Sequence, residues 1–142
     1  MLFRSVEQYA GRRGIVNRAR SLLRRGAQSC IEEFLEEGEI TPRTLSRAAE
    51  RGDEVALTTL RETGQFIGIA MASLVNTLNP EALIVGGGVS NAGEYILEPL
   101  RTEIRRRAYT SQVYEVKVLR AGLKNDSGIV GAAGIAVGAL GG

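Results

Sequence analysis

Three consecutive glycines, Gly86, Gly87 and Gly88, form the stretch of the sequence best suited to chemistry. They follow a short apolar run, Ala82–Val85, and precede an amphipathic segment, so the pattern predicts a strand, a turn and a helix. Glycine in a regular element costs roughly 0.5–1 kcal/mol relative to alanine, so three in succession need a physical reason. Either the turn requires backbone angles that a Cβ forbids, or a ligand approaches the backbone closely.

A junction of this kind presents backbone N–H groups at the carboxyl edge of a sheet, where α/β proteins bind ligands. A dinucleotide fingerprint fits poorly, because Asn91 stands where the G-x-G-x-x-G pattern requires Gly or Ala. The junction by itself therefore leaves the tight turn and the ligand loop both open.

Composition excludes several other chemistries. The 142 residues include no histidine and a single cysteine, Cys30. The commonest metal ligand and the usual general base at neutral pH are thus absent, and one cysteine cannot form an internal disulfide or a thiolate cluster. We predict no metal site in the chain. A net charge of +2 is too small to argue for nucleic acid.

Two uncharged runs, 63–80 and 127–142, are candidates for membrane spans. The first contains several polar residues, and the second is shorter than the ~20 apolar residues that a span needs. Both are interpreted as buried helices, and the amino terminus lacks a signal-peptide pattern. We expect a cytoplasmic protein that does not contact a membrane.

The helices and strands that must position the glycines are predicted from the periodicity of the hydrophobic residues and from the residues that start or end helices. Thr41 with Pro42 predicts one helix start and Asp53 another. Helices are predicted near 15–25, 42–51, 53–78, 93–107 and 128–140, and parallel strands near 82–86 and 113–119. Alternating strands and helices predict the α/β class. Two strands are too few for a stable sheet of this kind, so the chain is predicted to be incomplete.

The glycines outside the run at 86–88 and the clustered arginines are explained by structure and not by function. Gly11 and Gly14 indicate a break before the helix at 15–25, and arginines occupy most of that helix's polar face. Gly64 and Gly68 are predicted to let another element pack closely. The arginines at 101 and 105–107 are interpreted as a solvated helix face paired with glutamates, not as a nucleic-acid patch.

The stretch "NPEALIVGGGVSNAGEYILEPLR" at 79–101 resembles the carboxy-terminal half of the ROK family, which contains repressors, uncharacterised reading frames and sugar kinases. "GD" at 52–53, "SGIVGAAGIA" at 127–136 and "VEQYAGRRGIVNRAR" at 6–20 extend the resemblance over nearly the whole chain, most closely to glucokinase-like members. The resemblance implies the actin-like, RNase H-like ATPase fold, whose two lobes close on sugar and ATP. Residues 1–142 then form the carboxy-terminal, nucleotide-side lobe of a truncated protein.

The same resemblance assigns two sites. Gly86, Gly87, Gly88 and Val89 form the loop against which the adenosine moiety lies, so that a Cβ there would occupy the place of the nucleotide. Glu7 hydrogen-bonds the sugar hydroxyls as a substrate-binding residue. The alternative for Glu7 is an ordinary exposed glutamate on a helix.

The sequence also departs from the family. The zinc-binding cysteines and histidine of intact members are missing, and Ser5 stands where the last cysteine is expected. The amino-terminal phosphate loop, the catalytic aspartate and the upstream Glu–His sugar motif are missing too, so no catalytic residue is assigned. Residues 1–5 are treated as candidate non-native residues.

The function implied by the resemblance is part of an ATP-dependent hexose kinase, which transfers the γ-phosphoryl group of ATP to a sugar hydroxyl. Its ligands would be a hexose such as glucose, ATP and Mg²⁺. The resemblance is compatible with either a monomer or a homodimer of the intact protein. The fragment alone is expected to be inactive. The alternative is the sugar-sensing domain of a transcriptional repressor, which would bind nucleic acid through a helix-turn-helix located upstream.

Overall fold

The computed structural model describes residues 5–109 and 116–122. This part of the chain is rich in helix and contains a small parallel sheet. Its elements are α1 (Val6–Ala10), α2 (Arg12–Arg24), α3 (Pro42–Glu50), α4 (Glu54–Leu78), β1 (Ala82–Val85), α5 (Glu94–Arg107) and β2 (Lys117–Arg120). Short 3₁₀ turns at Ile31–Phe34 and Gly88–Ala92 connect them.

The break near the amino terminus lies at Gly11, and α2 begins at Arg12. The prediction of a break that includes Gly14 is therefore wrong, because Gly14 lies inside α2. A Cβ on Gly14 would stand 2.3 Å from the carbonyl oxygen of Gln8 and 2.6 Å from that of Tyr9. Glycine is required there because the end of α1 packs against the first turn of α2.

Side-chain caps start the two central helices, as the sequence predicts. The hydroxyl of Thr41 accepts from the backbone N–H of Thr44 at 3.1 Å, and the Thr44 hydroxyl accepts in return from the Thr41 N–H at 2.8 Å. Asp53 Oδ1 accepts from the N–H of Ala56 at 2.8 Å at the start of α4. Such caps satisfy N–H groups that have no partner within the helix.

Helices α4 and α5 pack closely, and the predicted role of Gly64 and Gly68 is confirmed. A Cβ on Gly64 would lie 2.3 Å from the carbonyl oxygen of Ile96, and one on Gly68 would lie 2.7 Å from the carbonyl oxygen of Leu100. The backbone of α5 thus occupies the space that side chains would need. Arginines of α5 pair with Glu98 and Glu103 as predicted, with Arg107 Nε 2.8 Å from a Glu103 carboxylate oxygen. The prediction of a solvated face is wrong at Glu103, which is buried.

Two clusters of buried residues form the core. The first joins α2, α3 and the first half of α4, and Ile15, Leu45 and Leu60 are fully buried in it. The second lies between α4, α5 and the sheet and contains Val75, Leu97, Leu100, Ile104 and Val118. Helices α4 and α5 are therefore held against one side of the strands.

The strands pair in parallel, as predicted, with Ala82 opposite Lys117 and Val85 opposite Arg120. Their carboxyl ends consequently meet at one edge of the sheet. The predicted strand residues 113–115 and the predicted helix at 128–140 lie outside the described residues. Among the helices of residues 5–109, none is both long and apolar enough to cross a bilayer.

Candidate functional site

The glycine loop, Gly86–Val89, leaves the carboxyl end of β1 and is exposed along its three glycines. Gly87 has φ +73° and ψ −172°, a conformation open essentially to glycine alone. The structural interpretation of the glycine run is therefore correct for Gly87. The turn itself excludes any other residue there.

Gly88 has no such conformational requirement. Its φ lies outside the left-handed region, and a Cβ built on it meets no atom within 4 Å. Neither the backbone nor a neighbouring group in the described part of the chain explains the absence of a side chain. No described residue occupies the space beside Gly88, which lies at the edge where parallel sheets bind ligands.

A 3₁₀ turn, and not the amphipathic helix itself, follows the glycines. The sequence places the helix near 93–107, and α5 indeed begins only after the turn ends at Ala92. The Ser90 hydroxyl donates to the carbonyl oxygen of Gly87 at 2.8 Å and closes the loop. Val89 is half-buried against the first core cluster and anchors the loop to the helices.

Two further residues at this edge were not predicted from the sequence to belong to the site. Arg120, the last residue of β2, donates from Nη2 to Asn91 Oδ1 at 3.3 Å. Asn91 lies in the turn that Gly88 begins. Parallel pairing alone could have indicated that the end of β2 lies beside the glycine loop, because it brings both carboxyl ends together.

Glu7 is exposed on α1 and lines an open cleft of about 660 Å³. Polar residues contributed by α1 and α2 form the rest of that cleft: Gln8, Arg12, Arg13 and Asn17, with Gly11 and Gly14. The glycine loop does not line it. The described part of the chain therefore presents the two predicted sites as separate surfaces.

The residues present do not fit a zinc site. The whole sequence has no histidine and one cysteine, Cys30. Within residues 5–109 and 116–122, no three acidic or thiol side chains converge to hold a metal ion. Burial raises the pKa of the Cys30 thiol, and a hydrogen bond with Asp53 raises it further. This disfavours the thiolate that binds metals.

A family model described as the ROK family matches residues 4–139. The chain is 32% identical over 126 residues to the xylose repressor of Caldicellulosiruptor bescii, covering 89% of this chain and 32% of the repressor. It is 35% identical over 136 residues to the glucokinase of Streptomyces coelicolor, covering 92% of this chain and 43% of that enzyme.

Among solved structures, the chain resembles a ROK family glucokinase from Streptomyces griseus in complex with glucose and AMPPNP. The TM-score is 0.75 and the identity 36%, over 92% of this chain and 43% of the glucokinase. The chain thus spans between about a third and two fifths of the length of the proteins it matches.

Proposed function

This chain belongs to the ROK family, and from that premise we propose that it is the carboxy-terminal, nucleotide-side part of an ATP-dependent hexose kinase. The intact enzyme would transfer the γ-phosphoryl group of ATP to a hydroxyl of a hexose such as glucose. Similarity to a glucokinase that was solved with glucose and AMPPNP supports both ligands. The chain's share of that enzyme's length supports the proposal that it is one part of a longer protein.

The open backbone at Gly88 is the observation on which the nucleotide assignment depends. Gly87 is needed by the turn, whereas no described residue occupies the space where a side chain of residue 88 would lie. An adenosine moiety resting on the loop would fill that space. Gly86, Gly88 and the backbone of Val89 would then form its platform, and Gly87 would set the shape of the loop.

Glu7 would accept hydrogen bonds from the sugar hydroxyls, since a carboxylate accepts but does not donate. Phosphoryl transfer depends mostly on positioning and charge neutralisation. We assign this chain the binding and orientation of both substrates, and we assign the catalytic base and the phosphate loop to sequence outside it. Mg²⁺ accompanies ATP in this class of reaction and would be held largely by the nucleotide phosphates, so no residue of this chain is assigned to it.

The two glycines provide a matched pair of variants in the full-length protein. Gly88→Ala places a methyl group where the nucleotide would lie, and intrusion of that kind costs about 1–3 kcal/mol. That corresponds to a loss of ATP affinity of roughly five- to 150-fold. The melting temperature and the glucose affinity should stay near wild type, because the new Cβ would lie more than 4 Å from every described neighbour.

Gly87→Ala is the control for a purely structural effect. It forces alanine into a glycine-only conformation, so it should lower the melting temperature whatever the ligand. Calorimetric titration of ATP and of glucose, with thermal melts, separates the two effects. Unchanged ATP affinity in folded Gly88→Ala would overturn the assignment of the loop to the nucleotide.

The second candidate function is the sugar-sensing part of a transcriptional repressor. The 32% identity to a xylose repressor over 126 residues favours it. The kinase predicts glucose-dependent ADP release by the full-length protein. The repressor predicts no release, and instead sugar-dependent dissociation from a DNA duplex in a gel-shift assay.

A further inference from the structure

We propose that Arg120 is a further nucleotide-binding residue, which Asn91 holds beside the glycine loop so that its guanidinium contacts the phosphate groups of the bound nucleotide. This inference rests on the proposed function. It adds a cationic group to a loop for which the sequence indicated only backbone contacts.

Backbone pairing brings Arg120 to the loop. Arg120 stands opposite Val85, the last residue before Gly86, in the register of the sheet. The N–H of Ala121 donates to the carbonyl oxygen of Val85 at 2.9 Å, so the pairing continues one residue beyond Arg120. A Cβ on Gly86 would lie 3.5 Å from the Cβ of Ala121, which places the two strand exits in contact.

The Arg120 side chain then reaches across this edge. Its Nη2 is 3.3 Å from Oδ1 of Asn91, which lies in the 3₁₀ turn that begins at Gly88. The guanidinium is thereby linked to both ends of the loop, to β1 through strand pairing and to the following turn through Asn91. Both side chains retain solvent exposure, so a ligand on the loop can reach them.

The partner of Arg120 is neutral, and this sets the chemistry of the ligand. Within residues 5–109 and 116–122, no carboxylate pairs with Arg120, whereas Arg101 on α5 is paired with Glu94 and Glu98. A guanidinium has five N–H donors in a planar fork that matches phosphate oxygens. One donor used on Asn91 leaves others for an anion, so the arrangement favours a phosphorylated ligand over a neutral nucleoside.

A purely structural bridge would also explain the contact, because Arg120 and Asn91 could simply hold the loop in shape. The two explanations differ in how they depend on ligand charge. A bridge that shapes the loop affects ATP and adenosine alike. A phosphate contact affects ATP alone and weakens as salt screens the charges.

The experiment titrates ATP and adenosine into the full-length protein and its Arg120→Ala variant, with melting temperatures measured in parallel. Arg120→Ala should lose about tenfold in ATP affinity, as expected for a hydrogen bond to a charged group, while its adenosine affinity stays at the wild-type value. Arg120→Lys should recover part of the loss, because it keeps the charge without the fork. Asn91→Ala should lower ATP affinity less than Arg120→Ala does.

Arg24→Ala is the matched control, because it removes one exposed positive charge from the last turn of α2, outside the loop. It should leave both affinities unchanged. Equal losses of ATP and adenosine affinity in Arg120→Ala, or no loss of either, would overturn the inference. A folded wild-type protein that binds neither ligand would instead refute the proposed function.

Discussion

Gly87 and Gly88 are adjacent and chemically identical, yet their backbone conformations differ. Gly87 has a backbone conformation that only glycine tolerates, and Gly88 has an ordinary one, with no atom of the described residues within 4 Å of an added Cβ. Gly88 is therefore the position at which substitution tests the functional hypothesis without a strained backbone. A variant that replaced all three glycines at once would combine an effect on folding with an effect on nucleotide binding.

Glu7→Gln in the full-length protein should weaken sugar binding and leave ATP affinity unchanged. The exposed carboxylate would accept from sugar hydroxyls, and hydrogen bonds to charged groups contribute about 1.5–3 kcal/mol. Isothermal titration with glucose measures the loss. Glu50→Gln, an exposed glutamate at the end of α3, is the control. A parallel loss of glucose and ATP affinity would indicate a folding role for Glu7.

Asp53 is a buried carboxylate whose hydrogen bonds are all local to one junction. Its Oδ2 accepts from the Ser29 hydroxyl at 2.8 Å and from the Cys30 N–H at 2.6 Å, and its Oδ1 caps α4. Burial raises the pKa of Asp53, but the hydrogen bonds from Ala56, Ser29 and Cys30 outweigh it, so the pKa lies below its ordinary value. Asp53 therefore joins the segment after α2 to the start of α4.

This arrangement predicts a pH dependence of stability. A carboxylate whose pKa is lowered by folding stabilises the protein above its unfolded-state pKa of about 3.9. That contribution disappears as pH falls through the lower pKa of the folded state. Asp53→Asn can still cap α4 through its amide oxygen, but its NH2 group cannot accept from the Cys30 N–H as Oδ2 does. It should therefore lower the free energy of unfolding at pH 7 by about 1–3 kcal/mol, the range for leaving a buried donor without an acceptor.

Chemical denaturation at pH 7 and at several values below pH 4 measures the effect. The difference in the free energy of unfolding between wild type and Asp53→Asn should become smaller at the lowest pH values. Glu54→Gln, which removes an exposed carboxylate in the same turn, is the control. A difference that stays constant with pH would contradict the proposal that the ionised form of Asp53 stabilises the folded protein.

At the scale of elements, the contact between α4 and α5 depends on missing side chains. Gly64→Ala would normally favour a helix by about 1 kcal/mol. Here the new Cβ would lie 2.3 Å from the carbonyl oxygen of Ile96, so the helices must separate. We expect a net loss of about 1–3 kcal/mol in the free energy of unfolding, as for other overpacked interiors.

Urea denaturation of Gly64→Ala measures that loss. Ser73→Ala is the control, because Ser73 is exposed on the same helix and its replacement raises helix propensity. It should be neutral or slightly stabilising. Equal stability of Gly64→Ala and wild type would show that α5 can move away at little cost.

At the scale of the whole molecule, residues 5–109 and 116–122 form two core clusters and a sheet edge, where we propose the nucleotide site. The chain spans 43% of the glucokinase it resembles among solved structures. We predict that the 142-residue chain alone shows no glucose-dependent ADP release with ATP and Mg²⁺. A coupled-enzyme assay measures release. Turnover abolished by Glu7→Gln in this chain would show that the catalytic machinery lies within it.

The sequence by itself determined the features that depend on near neighbours. The caps at Thr41 and Asp53, the long helix between Asp53 and Pro80, and the strand before Gly86 all follow from residues a few positions apart. The family could be identified for the same reason, because its motifs are short and contiguous. Parallel pairing followed from the order of strands and helices, which leaves few topologies.

Only the tertiary structure decided features that join residues distant in the chain. Gly14 indicated a helix break, but it is the point where the end of α1 packs against α2. Arg18, on the polar face of its helix, is 14% exposed, because it bonds Thr63, 45 residues away, and lies over the ring of Phe66. Arg120 and Asn91 meet only because two strands pair. Such contacts depend on packing geometry, which residue type and local spacing do not specify.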